Sequence, residues 1–168
     1  MDSKVMNLLR QRKMESDYVI GYTEYELKKI GVLYDILIEG QLREFMLLAG
    51  RCDGGLIGDD PIVLYRPSWD VRTQILSQVE LFNDLQDISA FDYMGNIFRF
   101  SCEYETQDYY LITKKRDNLV YHYDSNEQKA ECTNMTFYEY LDDVYKRYVE
   151  ETDKEQIICR GELLEIYV

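Results

Sequence analysis

The sequence predicts an α+β domain, with helices gathered mainly on one side of an antiparallel sheet and a mixed sheet as the alternative. Three observations predict it. Apolar residues recur at helical spacing up to about residue 87 and again after residue 136, whereas between about residues 97 and 133 they alternate with a period of two. The chain has 168 residues, 46% of them hydrophobic and 14% aromatic, with 2 prolines and 9 glycines, enough for one compact core and unlike a disordered or collagen-like chain. No repeat, low-complexity stretch or Ser/Pro-rich linker divides it, so residues 1–168 read as a single domain.

A first helix is expected over Val5–Glu15, with Arg10, Arg12 and Lys13 late in it where the helix dipole favours cations; residues 1–18 read as a loosely docked arm. Thr23 and Glu26 have capping-box spacing and Tyr22 with Leu27 forms a hydrophobic staple, so a second helix begins at Glu24 and ends or loosens at Gly31. After the apolar stretch Tyr34–Ile38, residues Leu42, Phe45, Met46 and Ala49 mark a third helix over Gln41–Ala49. Gly50, Gly54, Gly55 and Gly58 predict a tight loop over Gly50–Asp60 that leads into a strand, Ile62–Arg66, stopped by Pro67. Ser68 is placed to cap a helix with Trp69 at its entrance, running through Val71, Ile75, Val79 and Phe82 to about Asp87.

Gly95-Asn96 is the turn before the first meander strand. There Phe98, Phe100 and Cys102 point one way and Arg99, Ser101 and Glu103 the other, the pattern of a half-buried antiparallel strand. Strands at Tyr109–Thr113 and Leu119–Asp124 follow across the polar turn Lys114–Asn118, with a weaker strand at Lys129–Thr133. Thr136 and Glu139 form a second capping box, opening a helix whose stripe is Phe137, Tyr140, Leu141, Val144, Tyr145 and Tyr148. The tail, residues 156–168, is apolar at both ends and reads equally as an edge strand or a short helix.

With 32 acidic against 19 basic residues the formal net charge is -13, which repels a phosphate backbone and excludes nucleic acid as the first choice of partner. Residues 101–168 hold 16 acids against 8 bases, so the excess lies toward the C-terminus. Cys52, Cys102, Cys132 and Cys159 form no C-x-x-C pair and have no histidine at metal-ligand spacing; they read as reduced, small apolar residues rather than a zinc site. The N-terminus lacks the apolar run of a signal peptide and no 18 apolar residues follow one another, so a cytoplasmic protein with no membrane contact and no cofactor is expected.

Catalytic readings are weak on the residues. His122, the single histidine, lies opposite Tyr121 and Tyr123 with no Ser or Cys nucleophile signature beside it. The pairs Asp59-Asp60, Asp142-Asp143 and Glu103 with Glu105 are what 32 acids produce by chance, and the glycine loop lacks the phosphate-cradling motif. The tyrosines are more informative: 16 occur, 11 of them at or after Tyr93. Tyrosine offers rigid contact area with a polar tip, and Tyr104, Tyr109 and Tyr110 stand among Glu103, Glu105 and Asp108. These six residues, with Asp59 and Asp60 from the glycine loop, are the candidate partner-binding set.

The capped helix at Glu24, the Leu42-x-x-Phe45-Met46 helix, the Gly54-Gly55 loop, the strand at Ile62–Arg66, the segment Phe91-Asp92-Tyr93-Met94-Gly95-Asn96-Ile97-Phe98, the strand ending Val120-Tyr121-His122-Tyr123-Asp124 and the closing Thr136-Phe137-Tyr138-Glu139-Tyr140-Leu141 together resemble the SUKH superfamily, related to the yeast cell-wall assembly regulator family, over residues 20–148. Ile38-Glu39-Gly40 stands where that superfamily usually has a Leu-Pro step. The resemblance implies a non-enzymatic binding protein, foremost a bacterial immunity protein that neutralises a cognate toxin, often a nuclease, by direct contact. A small intracellular regulatory or scaffold domain with several protein partners is its alternative. An acidic protein would be steered toward a basic toxin domain.

Overall fold

The computed structural model describes residues 3–58, 61–148 and 161–164. Among them the chain forms α1 (Lys4–Glu15), β1 (Val19–Ile20), α2 (Glu24–Leu33), α3 (Gly40–Ala49), β2 (Cys52–Asp53), α4 (Val71–Asp87), β3 (Ile97–Glu103), β4 (Gln107–Ile112), β5 (Leu119–Asp124), β6 (Lys129–Thr136) and α5 (Phe137–Tyr148). The main sheet is an antiparallel meander in the order β3-β4-β5-β6, and β1 pairs with β2 in a separate two-stranded ribbon that the sequence did not signal. Phe98, Leu111 and Val120 share one buried cluster with residues of α1, α2, α3 and α5, while Ile97, Tyr110, Ile112, Tyr121 and Tyr123 share another with Leu81 and Leu85 of α4. The sheet is thus covered mainly on one side, with α4 on the other.

Both capping boxes form. Thr23 N–H donates to Glu26 Oε2 at 2.7 Å and Glu26 N–H to Thr23 Oγ1 at 3.2 Å; Thr136 N–H donates to Glu139 Oε2 at 2.8 Å. Gly31 loosens nothing: α2 runs to Leu33 and closes in a Schellman turn, where Asp35 takes φ 50° and the Ile36 N–H reaches back to the Gly31 carbonyl at 2.9 Å. Ile38-Glu39-Gly40 opens α3 without a side-chain cap from Glu39; Asn118, in the turn before β5, supplies it, its Oδ1 accepting from Gln41 N–H at 3.1 Å and its backbone carbonyl from Phe137 N–H at 2.8 Å. Gly40 has φ 55°, and a Cβ there would lie 2.5 Å from Asn118 Oδ1, so this junction requires glycine.

Four expectations need correction. The N-terminal helix is not a loose arm: Val5, Met6 and Leu9 are buried, and Asp142 of α5 caps it, accepting from Ser3 Oγ at 2.7 Å, Lys4 N–H at 3.0 Å and Val5 N–H at 2.8 Å. Ile62–Arg66 is not a strand but one bridge, Ile62 to Ser101, followed by a 3-10 turn over Val63–Tyr65. Ile62, Val63, Leu64 and Tyr65 are all buried, with the Val63 carbonyl accepting from Gln74 Nε2 at 2.5 Å, so no alternating face exists. Asp70, not Ser68, caps α4 by accepting from Thr73 N–H at 2.8 Å, and the helix buries Val71, Gln74, Ser77, Leu81 and Leu85 while Val79 and Phe82 face out. Finally, β3 is buried along its whole length rather than half-exposed, and a bulge between Arg99 and Ser101 breaks its alternation.

Of the tail, residues 161–164 are described and form neither strand nor helix; the rest lies outside the described residues, as does Cys159. Leu163 is buried and its N–H donates to Tyr22 Oη at 2.6 Å, while a Cβ on Gly161 would come within 2.1 Å of the Tyr65 Cα. Cys52 and Cys102 are buried free thiols and Cys132 is half-buried. No helix among the described residues is long and apolar enough to cross a membrane.

Two measurements check this packing. Leu141 on α5 is fully buried, so Leu141→Ala should cost about 2–5 kcal/mol in chemical denaturation, and a change below about 0.5 kcal/mol would show that α5 is not core. Asp142→Ala should strip hydrogen-exchange protection from the α1 amides while leaving those of β4 and β5 intact; equal protection in both proteins would show that the cap does not anchor the helix.

Candidate interaction surface

The bulge decides where the hairpin's acids point. Strict alternation would put Arg99, Ser101 and Glu103 on one face. Instead Arg99 pairs across with Tyr110, Ser101 with Tyr109 and Glu103 with Gln107, so from Ser101 onward the side chains exchange faces and Phe100 is the inserted residue. Arg99 and Cys102 lie on the α4 side with Asp108. Glu103 lies on the α5 side, where its carboxylate accepts from Arg147 Nη1 at 2.5 Å and Nη2 at 2.9 Å, from Tyr140 Oη at 2.9 Å and from Tyr148 Oη at 3.2 Å.

Burial alone would raise the Glu103 pKa and is the largest single influence, but the bonds and charge of Arg147 with the two tyrosine hydroxyls outweigh it and hold the carboxyl below its usual range. Arg147 is correspondingly held charged, chiefly by its bonds to Glu103, and its Nε also donates to Asp143 Oδ2 at 2.8 Å. On the other face Arg99 pairs with Asp108. A conformational constraint accompanies the ion pairs: Gln78 of α4 reads the backbone of Arg99, donating to its carbonyl at 2.8 Å and accepting from its N–H at 2.7 Å, while Pro61 accepts from Cys102 N–H at 2.9 Å and Ser101 Oγ at 2.7 Å.

The expected acidic, aromatic tip is therefore smaller than the sequence suggests. Glu103 and Asp108 are buried and neutralised by arginines, and Tyr110 is buried with its hydroxyl donating to the Tyr93 carbonyl at 3.0 Å. Tyr109 is half-buried, its ring stacked on His122 with centroids 4.9 Å apart and tilted against Tyr140 at 4.8 Å. Tyr104 and Glu105 reach solvent: they form the turn itself, with φ 52° and 61°, and the Tyr104 ring is 78% exposed. Asp59 and Asp60 lie outside the described residues, but neighbouring Pro61 joins Arg66, Cys102, Glu103, Tyr104, Glu105 and Tyr148 in lining a cleft of about 450 Å³ beneath the tip.

The groups considered for catalysis do not converge. Glu105 sits in the turn and shares no strand face with Glu103. His122 is largely covered and bonded to Gln107 Oε1 at 2.6 Å, with Glu131 Oε1 3.8 Å from its other ring nitrogen. The glycine loop is closed on an internal carboxyl group: buried Asp53 accepts from Gly55, Ile57 and Gly58 N–H at 2.7, 2.6 and 3.1 Å, taking the amides a phosphate would use. The roles of Asp53, Asp142 and Arg147 carry no signature in the sequence, because each acts on a partner far along the chain or through backbone amides. Among the described residues no three His, Cys, Asp or Glu side chains gather as a metal site requires.

No protein-family model, curated protein or solved structure matches this chain.

The Glu103 pair sets a pH dependence whose sign follows from its lowered pKa. The pair's contribution to stability is full above the unfolded carboxylate value of about 4.3 and is lost as pH falls through the lower folded value. Arg147→Met reverses this sign by leaving a buried carboxylate with a raised pKa. Its loss of stability should be greatest near neutrality and shrink toward pH 4 in urea titrations, and a loss independent of pH would refute the ion pair.

Proposed function

We propose that the chain is a non-enzymatic binding protein of immunity type, which works in the cytoplasm and neutralises a basic, nuclease-type toxin domain by direct contact. The observation that carries this reading is the way Tyr104 is held. Two successive non-glycine residues take left-handed φ values to project its ring into solvent, a conformation costing about 1–2 kcal/mol per residue that asparagine or glycine would adopt more cheaply. Beneath them the bidentate Glu103–Arg147 pair ties the hairpin to α5, so the ring is presented on a rigid base and loses little freedom on contact. Glu105 sits beside it, and the net charge of -13 gives the sign of the surface it would meet. The resemblance of residues 20–148 to the SUKH superfamily supplies the class of partner.

The test is to mix the purified chain with the basic C-terminal domain of a toxin encoded by the adjacent gene. Stoichiometric inhibition of the toxin is expected, with an association rate that falls as salt rises and the Debye length shrinks to about 10 Å at 0.1 M. Glu105→Lys should slow association, whereas Tyr104→Ala should act on dissociation, raising its rate about tenfold or more. Charge reversal at Glu103 or Asp108 is uninformative here because both are buried. A toxin left fully active by an excess of the chain would sink the reading, and an association rate indifferent to salt would remove the hairpin from it.

A further inference from the structure

Helix α4 carries two apolar stripes, and the fold uses one. Leu81 and Leu85 are buried against the sheet, whereas Leu76 is 60%, Val79 50% and Phe82 39% exposed, with Ile75 half-buried beside them. At 100° per residue Phe82, Ile75, Val79 and Leu76 fall in one arc, and Asp87, Glu80 and Asp84 follow along one flank of it. Between Arg72 and Arg99 the chain has no basic residue at all, while it has Glu80, Asp84, Asp87 and Asp92. Arg99 is the cation that reaches this flank, and it is committed to Asp108, with Glu80 at the edge of its reach at 4.0 Å. Partial burial and then the carboxylates of Glu80, Asp108 and Asp87 raise the Asp84 pKa, and Arg99 offsets them only in part.

Exposed and half-buried apolar residues at i, i+1, i+4 and i+7 on a helix that already has its core stripe form an apolar surface of the kind that marks interaction sites. We infer that the outward stripe of α4, Ile75, Leu76, Val79 and Phe82 with Glu80, Asp84 and Asp87 on its flank, docks a cationic amphipathic helix of a protein partner. Charge selects among the possible occupants. A second copy of this chain would bring another charge of -13 against the same acids, and anionic lipid or nucleic acid is repelled likewise. A helix with leucine-type residues along one face and lysine or arginine beside them satisfies both the stripe and its flank, in a ridge-into-groove packing of two to three turns. The stripe lies on the α4 side of the sheet, so this inference does not depend on the hairpin reading.

The probe is a fluorescein-labelled amphipathic peptide of leucine and lysine, long enough for four helical turns, titrated into the full chain and followed by anisotropy and by backbone amide NMR. Expected are binding that weakens with salt and shifts centred on residues 75–87. The double variant Leu76→Ser, Val79→Ser should weaken binding at least about tenfold with unchanged thermal stability, since both side chains are exposed. Glu80→Lys with Asp87→Lys should do the same from the electrostatic side and serves if the first variant fails to fold. Tyr104→Ala should leave this affinity within about twofold, so failure here and failure of the hairpin reading are separable. Absence of peptide binding would overturn the inference. So would equal affinity for a scrambled peptide of the same composition, shifts centred elsewhere, or a dimer through α4 in sedimentation equilibrium.

Discussion

The inserted residue in β3 is the constraint on which the rest of the hairpin depends. Because Phe100 is bulged out of register, Glu103 and Asp108, five residues apart on adjoining strands, go to opposite faces of the sheet and each meets its own arginine, Arg147 from α5 and Arg99 from β3 itself. In register, Glu103 would join Arg99 and Asp108 on the α4 face, two carboxylates sharing one guanidinium, while Arg147 would be left without the carboxylate that now receives two of its nitrogens. Burying a charge without its partner costs several kcal/mol, so the bulge and the two ion pairs stand or fall together. The bulge also fits the position of β3 at the sheet edge: Gln78 and Pro61 take the backbone groups that a further strand would otherwise pair with.

What was legible in the sequence is what depends on near neighbours. Thr23 with Glu26 and Thr136 with Glu139 act within one turn, and both boxes formed where the residue types placed them. The stripe of α3 and the four strands of the meander were equally local in their period. Illegible were the decisions taken at a distance. Nothing around Asp142 says that it caps a helix more than 130 positions earlier, and nothing around Asn118 says that it closes the N-termini of both α3 and α5. The apolar run Ile62–Tyr65 has strand propensity but is surrounded, so backbone groups that would need a sheet partner were met by Gln74 and by a tight turn instead. For α4 the apolar pattern places the helix but not its buried face: of Val71, Ile75, Val79 and Phe82 only Val71 is buried, while the polar Gln74 and Ser77 are buried with Leu81 and Leu85.

The same limit governs the candidate surface. Glu103, Asp108 and Tyr110 looked like parts of a solvated acidic hairpin because alternation assigns every second residue to water, yet a sheet covered on both faces has no water side. Only at the turn, where the chain leaves both layers, did the expectation of an exposed tyrosine and glutamate hold. Position in the sequence is therefore a poor guide to which acids reach the surface here, since Glu103, Asp53 and Asp108 are taken up by arginines or backbone amides inside the fold.

Those interior acids also explain why the surface acids can act outward. Each buried carboxylate takes up a cation or a set of amides: Arg147 gives two nitrogens to Glu103 and its Nε to Asp143, and Arg99 pairs with Asp108 and stands 4.0 Å from Glu80. Exposed acids remain at two separate places, Glu105 at the hairpin turn and Glu80 with Asp87 on the flank of α4, each beside exposed apolar or aromatic side chains. Long-range attraction sets how fast a basic partner arrives, while the apolar contact beside it sets how long the partner stays. Under the two proposals Tyr104 and the Leu76–Phe82 stripe would supply that second element on one scaffold, in which α5 caps α1 through Asp142 and bonds the hairpin through Tyr140, Arg147 and Tyr148.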